Sequence, residues 1–236
     1  MRTVLAALAL LLSGCTPAHD ADDAGLRFMI LMKKASGGPA LDRLGGFHQT
    51  GETIFDGETR TYEIWGDFHA LRTVSTTTSG DGLTVTYGFD GNTGWQIGPD
   101  GDVKRLTAPD VVAEQRLAAY VTVTGYFFPD RFPARFEYAG RREARGIAYD
   151  VVTVTPEDAP SIDLWLDTES HRLQRLTGQN GDLSYESEIR RYDAVDGVSV
   201  PAEMVQTVGG QTIRHKVLTL EFTDVADARF APPESE

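Results

Sequence analysis

The sequence predicts a single mostly β domain, a long antiparallel sheet with a few helices packed on one face. Three observations predict it. From Phe47 onward, Thr, Val, Tyr and Ile recur in runs broken at short intervals by turn residues. Apolar and polar side chains alternate within those runs, as in strands that bury one face and wet the other. Helical periodicity is confined to a segment before the first strand and to one interruption further along.

The chain opens with one basic residue, Arg2, and an apolar run from Val4 to Leu12. A membrane-spanning helix needs about 20 apolar residues, so this run is too short to span, and it fits the core of a secretory signal peptide. It ends in Leu12-Ser13-Gly14-Cys15, where small side chains let a peptidase hold the backbone extended. These four residues resemble a bacterial lipobox. The resemblance implies diacylglycerol on the Cys15 thiol and cleavage between Gly14 and Cys15, with residues 1–14 as the signal peptide. Cys15 is the only cysteine of the 236 residues, which excludes an internal disulfide or a second thiol nucleophile. One acyl chain binds a membrane marginally and two anchor it stably, so the two or three chains implied by the resemblance give a stable membrane anchor. Thr16 stands where lipoproteins of the enterobacterial kind carry an Asp for inner-membrane retention, so the resemblance favours the outer membrane over the inner, on the periplasmic side.

The chain carries 35 Asp+Glu against 22 Lys+Arg, a formal charge of −13, and loss of Arg2 with the signal peptide takes it to −14. That balance disfavours nucleic acid as a partner, because phosphate backbones are bound through Lys and Arg.

Residues 15–24 are expected to form an acidic tether, whose nine residues after Cys15 reach about 30 Å when extended. The folded domain is expected over 25–236, as one unit and as a monomer. Leu26 to Met32, running into Lys33 and Lys34, suits a helix stopped by Gly37-Gly38 and Pro39, with a short second helix over Ala40–Leu44. Met29 and Met32 on the first helix are either core or an adaptable cover over an apolar cleft.

Turn signals at Asp56-Gly57, Gly80-Asp81-Gly82, Asp90-Gly91, Asp100-Gly101, Asn180-Gly181-Asp182, Asp196-Gly197 and Gly209-Gly210 indicate hairpins, hence a meander. Tyr62, Ile64 and Phe68 alternate with Thr61, Glu63 and Asp67, and Leu218, Leu220 and Phe222 with Thr219 and Glu221. Thr107 to Asp110 has the form of a capping box. After it Ala113, Leu117, Tyr120 and Val121 make one apolar stripe. Aromatic residues then crowd at Tyr126, Phe127, Phe128, Phe132, Phe136 and Tyr138.

Several segments together resemble the LolA/LolB-like superfamily of outer-membrane lipoprotein-sorting proteins. They are Gly37-Gly38-x-Ala40-Leu41-x-x-Leu44 with Gly51 in the next strand, Phe89-Asp90-Gly91-Asn92-Thr93-Gly94-Trp95, Leu166-Asp167-Thr168-Glu169 leading to Leu173, Tyr192-x-x-Val195-Asp196-Gly197-Val198-x-x-Pro201, and Phe230-x-x-Pro233. Their order covers almost the whole mature chain. The resemblance implies a single curved antiparallel sheet forming an incomplete barrel, with helices plugging its open, concave side. It also implies that the concave face takes acyl chains, a lipoprotein or another hydrophobic ligand, with Met29, Met32, Trp65, Tyr126 and Phe127 as candidate lining. A lipid anchor argues for a membrane-held binder in place of a soluble carrier. A sensor or interaction module on the same fold, with an envelope protein as partner, is the alternative.

Catalysis and cofactor binding are not expected. His48, His69, His171 and His215 are dispersed, without HxH, HExxH or CxxC spacing, so no metal is expected. Asp167-Thr168 is followed by Glu169 and has no second copy, unlike the paired loops of aspartic proteases, and so reads as a turn acid. Glu186 and Glu188 read as a solvated face. Trp95, just after a turn, reads as structural.

Overall fold

A computed structural model describes residues 18–233 apart from Asp182. Helix α1 spans Ala18–Ser36 and is followed by a 3-10 turn at Gly38–Arg43. Strands β1 (Gly46–Phe55), β2 (Glu58–Asp67), β3 (Arg72–Thr78), β4 (Thr84–Phe89), β5 (Gly94–Ile97) and β6 (Val103–Leu106) lead to helix α2 (Pro109–Thr122). After a 3-10 turn at Gly125–Phe127 come β7 (Ala134–Ala144), β8 (Ile147–Pro156), β9 (Ile162–Asp167) and β10 (Leu173–Asn180). Strands β11 (Leu183–Val195), β12 (Val198–Val208) and β13 (Gln211–Phe222) complete the set, and a last 3-10 turn covers Asp227–Arg229.

All thirteen strands form one sheet in the order β6-β5-β4-β3-β2-β1-β13-β12-β11-β10-β9-β8-β7, so β6 and β7 are free edges and the barrel is not closed. Every pairing is antiparallel, including β1 with β13, which joins the two meanders. The turn dipeptides fall between strands as expected. At Asp56-Gly57 and Asp196-Gly197 both residues have positive φ, the conformation that matches hairpin twist.

Curvature comes from interruptions of the register. Extra residues bulge at Leu218 opposite Thr50/Gly51, near Tyr138–Gly140, and in the β11–β12 pairing. A bulge bends its strand and increases the local twist. The sheet therefore curls until Phe47 and Phe68 from one half share a cluster with Val152, Ile162, Leu164 and Leu166 from the other. Gly51 permits a close approach on the concave side, since a Cβ there would collide with the ring of Tyr62.

The bulge corrects one expected alternation. Leu220 and Phe222 face the concave side opposite Gln49 and Phe47, but Leu218 is the unpaired extra residue and is exposed. Asp67, expected to be wet, is buried and bonded by the backbone N–H groups of His69 (2.7 Å) and Ala70 (3.1 Å) and by Arg72.

The helices close one end of the concave side. Helix α1 packs on β7, β8 and β12, with Phe28 stacked on Tyr138 at 4.7 Å, and α2 packs on β3, β4 and β5. A Cβ at Gly25 would overlap the backbone at Phe136, so glycine sets how closely α1 lies on β7. Residues 18–24, expected in the tether, belong to α1, and the expected boundary at residue 25 falls inside it. Their acids are compatible with this, because negative charge is favoured at a helix N-terminus. The capping box is also corrected. Ala108 is the N-cap and makes no side-chain bond, with Pro109 starting the helix, so Thr107 lies one residue too early. Leu117 and Tyr120 of the expected stripe are buried.

Candidate ligand-binding face

Strand register assigns each side chain to a face. On the concave face lie Gln49, Gly51 and Thr53 of β1, Tyr62 and Ile64 of β2, and Val217 and His215 of β13. Across the next two pairings the same face continues with Met204 and Gln206 of β12 and Ile189 of β11. The main contacts of α1 fall on β7 and those of α2 on β3–β5, with α1 meeting β12 more lightly, so the concave side around β13 lies away from the main contacts of both helices. Ile189, Met204, Ile213, Val217 and Leu220 are half-buried there by the curvature of the sheet.

Polar groups on this face are held neutral. Tyr62 Oη accepts from Gln49 Nε2 (3.0 Å), and burial raises the phenol pKa above its usual 10.0. Burial also lowers the His215 imidazole below 6.5, so it is uncharged at neutral pH. The lining is an apolar row edged by neutral polar groups, a chemistry suited to a hydrocarbon chain.

The residues predicted to line the cleft are distributed differently. Met29, Met32, Tyr126 and Phe127 are all buried in one cluster with Phe128, Phe132, Phe136 and Leu164. There they fill the closed end of the half-barrel with their own side chains. Trp65 is corrected outright. Neighbouring Ile64 faces the concave core, so Trp65 projects from the convex face, stacked on His48 at 3.8 Å and with the Arg229 guanidinium 4.7 Å from its ring centre. Gly14 and Cys15 lie outside the described residues.

The convex face carries a feature that alternation by itself did not reveal. Val74, Trp95 and Phe230 form a second buried cluster with Trp65, Ile97 and Val225. Trp95 is structural, as expected, and donates its indole N–H to the Phe230 carbonyl at 3.0 Å. The C-terminal segment is thus strapped across the back of the sheet, with Arg72 bridging Asp67 and Asp227 (2.8 Å) and lying over the Phe230 ring. The signal for it was Phe230-x-x-Pro233, an isolated aromatic after the last strand.

Two grooves lie elsewhere. One of about 510 Å³ runs past the hairpin ends of β9–β11, among Asp163, Thr177, Glu186 and Arg145. Its charges are already matched, Asp163 with Arg142 (3.0 Å) and Glu186 with Arg175 and Arg145. Glu186 and Glu188 are therefore ion-paired, not merely solvated. The other, about 490 Å³, follows α1 between Asp22, Asp23 and Leu26 and the stretch from Pro133 to Phe136.

Asp167 is occupied by its turn. It accepts from the N–H (2.7 Å) and hydroxyl (2.7 Å) of Ser170, and these bonds hold its carboxyl pKa below 3.8. Asp150 was not singled out by sequence, yet it is buried and bonded by Tyr138 Oη (2.9 Å) and Arg141 (3.2 Å). Among the described residues no three or more His, Cys, Asp or Glu side chains are grouped to hold a metal ion.

No protein-family model matches the sequence, and no curated protein matches it. Solved structures do match in fold. A LolA superfamily protein from Nitrosomonas europaea aligns with TM-score 0.59 at 11% identity, covering 88% of this chain and 97% of that one. A domain described as outer-membrane lipoprotein-sorting, from Vibrio parahaemolyticus, aligns with TM-score 0.58 at 14% identity, over 89% and 97%. A DUF1329 family protein from Desulfovibrio piger gives TM-score 0.58 at 13% identity, again over 89% and 97%. The chain has a LolA/LolB-like fold, an incomplete antiparallel barrel with helices on its concave side.

Proposed function

We propose that this protein is a lipid-anchored binding protein of the bacterial envelope, facing the periplasm, which holds an acyl chain or another hydrophobic ligand against the concave face of its sheet. The observation that carries the reading is the half-buried row Ile189, Met204, Ile213, Val217 and Leu220 on the stretch of the concave face around β13, away from the main contacts of both helices. Burying apolar surface there contributes roughly 25 cal/mol per Å² removed from water. Neutral His215 and Tyr62 impose no charge that an alkyl chain would have to desolvate. The lipobox-like Leu12–Cys15 supports the anchor, and Thr16 the outer membrane. Likeness in fold to the lipoprotein-sorting domain from Vibrio parahaemolyticus supports acylated protein as one ligand class. A binding role is favoured over a catalytic one by Asp167, whose carboxylate is committed to its turn.

Native mass spectrometry of the Cys15→Ser protein, purified untagged from periplasm, tests the ligand. Co-purified lipid, or binding of an acylated peptide, is expected. Absence of both would sink the hydrophobic-ligand reading.

A second reading is a sensor or protein-interaction module. It is favoured by the closed end of the concave side, where Met32, Tyr126, Phe127 and Phe128 leave the core filled by the protein itself. Cross-linking in intact cells that yields one stoichiometric protein partner, with no lipid retained, would establish it instead.

A further inference from the structure

Helix α1 buries Gly25, Met29, Met32 and Ser36 at helical spacing, and its opposite side is not the polar face such a helix ordinarily shows to water. Leu26, Ile30 and Leu31 are 41%, 60% and 37% exposed on it. Arg27 and Lys34 are exposed beside them and pair with no acid among the described residues, whereas Lys33 is engaged by Asp42 at 2.5 Å. Ile30 and Leu31 lie between the two unpaired bases and Leu26 just before them, and the patch from Leu26 to Lys34 occupies about 12 Å of helix, at 1.5 Å per residue.

The place of this patch in the chain identifies what covers it. Only Thr16 and Pro17 separate Cys15 from the first residue of α1. Three residue steps span at most about 11 Å. A lipid on Cys15 therefore holds the start of α1 within about 11 Å of the membrane surface, too short a distance for the protein to stand clear of it. The chain's net charge is −13, so anionic headgroups would repel most of its surface, Asp22 and Asp23 in the first turns of α1 included, and Arg27 and Lys34 mark the stretch further along α1 that they would accept. Outward Leu and Ile with flanking bases is the composition of a helix lying in the plane of a bilayer interface.

We propose that the outer face of α1, through Leu26, Ile30 and Leu31 with Arg27 and Lys34, lies on the surface of a bilayer containing anionic lipid. This rests on the lipid anchor at Cys15 proposed above. The contact orients the protein, because α1 caps the closed end of the half-barrel. That end then sits against the membrane, and the convex back of the sheet, with its C-terminal strap, stays in water.

The test uses the mature acylated protein carrying Ile30→Cys. Acylation consumes the Cys15 thiol, so the new cysteine is the single site for an environment-sensitive fluorophore. The protein is bound to phosphatidylcholine vesicles containing phosphatidylglycerol, and mass spectrometry of the same sample reports the acyl group. Emission from position 30 is expected to shift to the blue, to brighten several-fold and to be quenched by nitroxide lipids. The same label at Leu218→Cys, on the β13 bulge, is expected to keep its emission in water. Adding Arg27→Glu and Lys34→Glu is expected to return position 30 to water while the acylated protein stays on the vesicles with an unchanged melting temperature. An acylated, vesicle-bound protein whose position 30 is as wet as position 218 overturns this proposal and leaves the anchor standing. A mature chain without an acyl group overturns both.

Discussion

The strap across the convex face makes the firmest energetic prediction. Phe230 is 1% exposed and packs on Val74 and Trp95, with the Arg72 guanidinium 4.9 Å from its ring centre. Truncating a buried Phe to Ala costs about 3–5 kcal/mol, the spread reflecting how far the site collapses. The exposed side of the cation–π contact adds about 0.5–1 kcal/mol. Phe230 lies near the chain terminus, however, so the segment can peel away locally and limit the global loss to its own docking free energy. In a domain of this size each kcal/mol lowers Tm by about 2–4 °C, so Phe230→Ala is expected to lower it by roughly 10 °C. Peeling would also wet Trp95, whose indole is hydrogen-bonded to the Phe230 carbonyl, and shift tryptophan emission to the red. Calorimetry and fluorescence on one sample read both effects. An unchanged Tm with unchanged emission would refute the claim that the strap completes a second core.

Other substitutions probe the concave face and its supports. Met204→Glu places a carboxylate in the half-buried apolar row and is expected to weaken uptake of a fluorescent fatty acid by at least about tenfold, a change of about 1.4 kcal/mol, with the melting temperature nearly unchanged. Equal uptake by the variant would move the ligand away from β12 and β13. His215 titrates below 6.5 in the folded protein, so as pH falls through 6.5 the unfolded chain takes up a proton that the folded chain refuses. Stability is therefore lost from pH 6.5 down to the folded pKa, and His215→Gln should flatten the urea-midpoint profile in that window and not above it. Tyr138→Phe removes a bond to the buried Asp150 carboxylate and should cost about 1–3 kcal/mol in urea unfolding. A loss much below that would mean that Arg141 alone satisfies Asp150.

What the sequence determined was local. Hairpins were legible because Asp-Gly pairs such as Asp56-Gly57 adopt positive φ at little cost, and the strands between them because alternation follows from the pleat itself. The ordered motifs from Gly37 to Phe230 carried enough of the pattern to name the fold, while the lipobox-like Cys15 lies outside the described residues and stands on sequence alone. Faces and neighbours were another matter. Trp65 alternates with acids and reads equally well on either side, and only its pairing with His48 and Val74 sets it on the convex back. Leu218 breaks its alternation because β13 holds one residue more than β1 has partners, a mismatch between strands distant in sequence. The start of α1 was missed for a related reason, since its acidic first turns carry no apolar stripe and are ordered with a helix that packs on β7. Met29, Met32, Tyr126 and Phe127, expected to line a ligand cleft, are packed into the filled end of the half-barrel, and the concave stretch away from the helices' main contacts falls around β13. Periodicity records which side of an element is apolar, while what that side meets depends on the sheet's curvature and on contacts between strands far apart in the chain.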